Sequence, residues 1–136
     1  MTPAELKVRR ERLGIEQDAL ARMAGVSLRQ AQRWEETQNP PDYVAALIET
    51  LEDNALDFVD AHLAASLPFI QQEKAHGGAQ PEVIELMAYP SNETLWAANP
   101  DIAPLSARWH RARVGELADE LEERGFMVQI VFPPKG

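Results

Sequence analysis

The 136-residue chain contains no cysteine, which excludes disulfides, thiolate zinc sites and thiol nucleophiles together. Aromatic residues are scarce at 7%. No apolar run approaches the roughly 18 residues that a membrane helix needs. The opening residues MTPAELKVRR have no signal-peptide apolar core, so a cytoplasmic protein is expected. A phosphate loop is missing, because Gly77-Gly78 is not followed by Lys-Ser or Lys-Thr. So is a nucleophile elbow for Ser/His/Asp chemistry. His62, His76 and His110 share no metal-ligand spacing, and the paired carboxylates Glu122-Glu123 read as a solvated helix end. Neither an enzyme, a metal nor a cofactor is expected.

What is present is the composition of an ordinary folded protein, 45% hydrophobic and 26% charged. Its 13 Lys+Arg against 22 Asp+Glu leave a net charge of −9. That total looks hostile to nucleic acid, but it is unevenly spread. Residues 1–38 carry seven basic and six acidic groups, whereas the remaining 98 carry six basic and sixteen acidic. One cationic working face on the N-terminal part would explain this asymmetry.

Local signals divide the chain into helices. Thr2, Pro3 and Glu5 make a capping box with proline at the first helical position, and Gly14 stands where a left-handed cap ends the helix. A second short helix fits Gln17–Ala24, Gly25 takes a tight turn, and Ser27 caps a third helix running to about Gln38. Asn39-Pro40-Pro41 ends it, with Asn39 expected in left-handed geometry. From Asp42, apolar residues at spacings of three and four (Val44, Leu47, Ile48, Leu51, Ala55, Phe58, Val59, Leu63) describe a long amphipathic helix, which Pro68 should end or kink. Residues 68–81 read as a linker. Val83–Ala88 reads as a strand, Ser91 as the start of a short helix, Pro104–Arg124 as a helix and Met127–Phe132 as a second strand, a β-α-α-β order.

Helix, glycine turn and capped helix over Ile15–Glu35 resemble the lambda-repressor-like, or xenobiotic-response-element, family of helix-turn-helix DNA-binding domains. Small Ala21 lets two helices cross closely, Gly25 takes the turn, and Val26, Ala31 and Trp34 fill the space between them. The resemblance implies base-reading positions at Leu28, Arg29, Gln32 and Arg33 on the third helix. Arg and Gln are suited to that task because each can make paired hydrogen bonds to a base edge. It also implies phosphate contacts from Gln17 and Ser27, with Gln30 and Arg22 as further candidates.

The remainder is similar to the phage-associated regulators that repress anti-CRISPR operons. The similarity lies in Glu85-Leu86-Met87-Ala88-Tyr89, in Thr94-Leu95-Trp96-Ala97-Ala98-Asn99-Pro100-Asp101 and in Ala107-Arg108-Trp109. It implies a C-terminal dimerisation domain.

The expected fold is therefore mainly α: an N-terminal helix-turn-helix bundle with a long fourth helix (1–67), a linker (68–81) and a small α+β dimerisation domain (82–136). The expected function is sequence-specific binding of a double-stranded DNA operator by a homodimeric repressor, with no membrane partner. Rival expectations are an antitoxin-type protein-interaction partner, or RNA binding by the same basic face.

Overall fold

The computed structural model describes residues 1–75 and 83–134, without the side chains of 68–75. It is mainly helical. The element order is α1 (Pro3–Leu13), α2 (Gln17–Ala24), α3 (Leu28–Glu36), α4 (Asp42–Ala75), β1 (Val83–Met87), α5 (Asn92–Ala98), a 3₁₀ turn at Pro100–Ile102, α6 (Ala107–Glu123) and β2 (Met127–Val131). Among the described residues no helix is long and apolar enough to cross a membrane.

Helix ends follow the chemistry of their caps. Thr2 accepts a hydrogen bond from Glu5 N while the Glu5 carboxylate accepts one from Thr2 N, so two otherwise orphaned donors are satisfied. Ser27 and Ser106 cap α3 and α6 with single hydroxyl acceptors, and Ser91 and Thr94 close a reciprocal box at α5. Ser106 places the start of α6 three residues later than the sequence reading does. At Gly14 the backbone is left-handed (φ 75°), and a Cβ there would stand 2.9 Å from the Arg108 carbonyl oxygen. Glycine at 14 thus serves both the turn and the close approach of α6.

Two sequence expectations are corrected. Asn39 does not take a left-handed cap, since the described residues include no non-glycine residue at positive φ. Instead α3 ends at Thr37 (φ −130°), and the amides of Thr37 and Gln38 both donate to the Arg33 carbonyl. Nor does Pro68 end α4, which continues to Ala75. Proline removes one helical donor, but Ala64, whose carbonyl loses its partner, is exposed and open to water. The rest of the expected linker lies outside the described residues.

One apolar cluster joins α1–α4: Leu6, Leu13, Ile15, Leu20, Ala31, Trp34, Val44, Ile48 and Leu51 are all buried in it, and so is Trp109 from α6. The C-terminal part therefore supplies a fully buried indole to the N-terminal core. Arg113 strengthens the joint. It is 2% exposed, and its Nη2 donates to the Arg12 carbonyl and to Glu116, each at 3.0 Å. Burial pushes the Arg113 guanidinium down from its ordinary value, with Glu116 opposing. A second cluster sits under the sheet, where Val59 and Leu63 of α4 and Leu117 and Leu121 of α6 meet Ile84, Leu86, Val128 and Phe126. The sheet itself is two parallel strands in the register Val83↔Met127 to Met87↔Val131.

His110 lies between these clusters, edge-on to Phe58 and to Tyr89 at 5.5 Å between ring centres. Burial, then the neighbouring His62 and Arg111, hold its imidazole down at about 4. Below pH 6.5 the unfolded chain takes up a proton that folded His110 refuses until about pH 4, so stability falls as pH falls through that window. Between pH 6.5 and 5 the expected loss is about 2 kcal/mol. Urea unfolding at several pH values measures it, and His110→Phe should flatten the curve in that interval. An unchanged slope in the variant would assign the loss to other groups.

Candidate nucleic-acid interface

Helices α2 and α3 meet through Gly25, which is left-handed at φ 72°, and Val26, whose amide donates to the Ala21 carbonyl at 2.9 Å. Ala21 and Ala31 are almost wholly buried, so their small side chains allow the two axes to approach. The inward side of α3 is completed by Trp34 and Glu35. Trp34 packs edge-on against Tyr43 at 6.3 Å, and the Tyr43 hydroxyl donates to the Ala24 carbonyl. The start of α4 thereby holds the end of α2.

Beneath α3 lies a buried ion pair that sequence reading missed. Arg10 donates through Nε and Nη2 to the two oxygens of Glu35 at 2.6 and 2.9 Å, and through Nη1 to the Ile15 carbonyl at 2.7 Å. Both residues are under 9% exposed. A forked guanidinium matched to a carboxylate fixes orientation as well as distance. The pair sets α3 on α1. The signal for it was the helix phase: Arg10 lies four residues after Leu6 and three before Leu13, and Glu35 four after Ala31, so both occupy apolar positions.

The predicted site residues divide accordingly. Leu28, Arg29 and Arg33 are exposed on α3, Gln32 is half-buried, and neither arginine pairs with a described carboxylate. The Ser27 hydroxyl is the cap, accepting from Gln30 N at 3.2 Å. The Gln30 amide donates to Gln38, and Arg22 stands 3.6 Å from Asp18 in an exposed pair. Gln17 is drawn inward: its Nε2 donates to Glu35 Oε1 at 3.1 Å. This amide is part of the buried network rather than a free arm.

The cationic surface is also thinner than a count of residues implies. Arg9 is taken up by Glu52 of α4 in a two-pronged contact, Nε to Oε2 at 3.0 Å, and Arg10 is consumed inside. The hydrogen bond raises Arg9 and lowers Glu52 from their ordinary values. Among the basic groups of residues 1–38, Lys7, Arg12, Arg29 and Arg33 have no ion pair with a described residue. Two of these four lie on the outward side of α3.

No protein-family model matches the chain, and no curated protein matches it.

Proposed function

We propose that the chain is a sequence-specific, double-stranded DNA-binding regulator of the helix-turn-helix type, acting as a homodimeric repressor. One observation carries the reading. The inward side of α3 is locked by Ala31, Trp34 and the Arg10–Glu35 pair, while its outward side offers unpaired Arg29 and Arg33 beside Leu28 and Gln32. A rigid helix with two free guanidiniums and an amide suits the major groove, where each side chain can make paired bonds to guanine or adenine. Ser27 and the start of α3 lie where a phosphate would approach. Repression is then steric: two recognition helices occupy successive major grooves and exclude polymerase.

Dimerisation finds support in the sheet. Val83, Met87 and Met127 point away from the core and stay 42–53% exposed, and a two-stranded sheet is marginal alone. Pairing with a second copy would cover that face.

In-vitro selection of bound duplexes from a random library tests the proposal. It should enrich a two-fold symmetric site with half-sites about 34–36 Å apart along the helix axis. Recovery of no sequence preference would contradict it.

A further inference from the structure

A cleft of about 450 Å³ opens where the end of α2, the middle of α4 and residues 101–105 converge. Its floor is apolar, made by Leu51 and Phe58 of α4, Leu105 and Trp109. Phe58 and Trp109 meet edge to face there with ring centres 5.4 Å apart. The charge at its mouth has one sign: Asp57 and Asp101 are the charged side chains in the lining, both exposed, and neither forms an ion pair with a described residue. Among the described residues no group of three His, Cys, Asp or Glu converges to hold a metal ion.

From this combination we infer that the cleft binds a small organic cation, an amine carrying a compact aromatic or aliphatic body. The body covers the partly exposed apolar lining of Phe58, Ile102 and Leu105, behind which Leu51 and Trp109 are buried. The ammonium stays at the mouth, where it pairs with Asp57 and Asp101. An anion of the same shape meets two carboxylates and no compensating charge. A neutral analogue covers the floor but leaves both carboxylates unpaired. Met23 brings α2 into the cleft wall, so an occupant touches one of the two helices of the candidate nucleic-acid interface. The binding inference does not depend on that interface reading DNA.

Phenylpropylamine, phenylpropanol and phenylpropionate share one body and differ in charge, so they serve as probes of the full-length chain. Titration is followed by the indole N–H resonance of Trp109, with that of Trp34, buried away from the cleft, as the internal control. The amine should bind with a dissociation constant of about 1 mM or tighter and move Trp109 but not Trp34. The alcohol should bind roughly fivefold more weakly, and the carboxylate weaker still. Asp57→Asn with Asp101→Asn should bring the amine down to the alcohol's affinity. Both positions are exposed, so folding should persist, which the unliganded indole spectrum verifies. Equal affinity for amine and alcohol, an undiminished amine affinity in the double variant, or no shift of Trp109 at about 10 mM amine would each overturn the inference. DNA binding enters none of these readouts.

Discussion

Glu35→Ala lowers the unfolding free energy by about 3–5 kcal/mol. The reason is not the loss of an attractive pair as such, since burying two charges already costs much of what their attraction returns. The substitution leaves the buried Arg10 guanidinium without hydrogen-bond acceptors for Nε and Nη2, and it strips the Gln17 amide of its acceptor. What survives is the bond from Arg10 to the Ile15 carbonyl and a longer ion pair, 3.8 Å from Arg10 Nη2 to the exposed carboxylate of Glu11. Domains of this size have about 5–15 kcal/mol of stability in total, so the loss is a large fraction of it. Glu35→Gln keeps an acceptor and should lose less. Replacing both partners, Arg10→Met with Glu35→Leu, should recover most of the loss, because no buried charge is then left alone. Guanidinium titration of the set measures this, and an Glu35→Ala variant within about 1 kcal/mol of the parent would show that the pair is wet.

Trp34→Ala has an effect of similar size through a different cause. The indole is 5% exposed among Leu20, Ala31 and Val44 and edge-on to Tyr43. Truncating such a residue typically costs about 3–5 kcal/mol in lost burial and cavity. Thermal melting should drop by roughly 12–20 °C, at about 4 °C per kcal/mol for a chain whose length lies between the small-domain and 150-residue classes. An unchanged melting temperature together with lost DNA binding would make Trp34 a surface contact and overturn its place in the core.

The N-terminal helices were legible because each boundary rests on chemistry within a few residues. Thr2 and Glu5, Gly14, Gly25 and Ser27 are all local signals, and α2 falls on the residues read for it. Where the outcome depended on partners far along the chain, pattern reading stopped short. Nothing adjacent to Arg10 identifies Glu35, 25 positions away, as its partner. Trp109 could be read as inward-facing, but not as a member of the N-terminal core. This membership bears on truncation: removing residues 78–136 would uncover the surface that Trp109 and Arg113 cover, so point variants are the sounder probes of dimerisation. Pro68 does not end α4 because a proline rule concerns a lost bond, and whether water replaces that bond is set by exposure. For the candidate site, the family resemblance pointed to Leu28, Arg29, Gln32 and Arg33, of which Leu28, Arg29 and Arg33 are exposed and Gln32 is half-buried. It did not find that Gln17 turns toward Glu35, because a half-buried glutamine has no fixed side to prefer.

The central claim is that the outward side of α3 reads base edges. Its most direct measurement is the affinity of Arg33→Ala for the selected duplex and for a panel of single-base-pair variants of it, at one fixed salt concentration. Arg33 is exposed and unpaired, so the variant should fold as the parent does. The account predicts a loss of about 1–3 kcal/mol on the selected duplex and relaxed selectivity at one base pair in each half-site, with little change on unrelated DNA. Unchanged affinity and unchanged selectivity would contradict it.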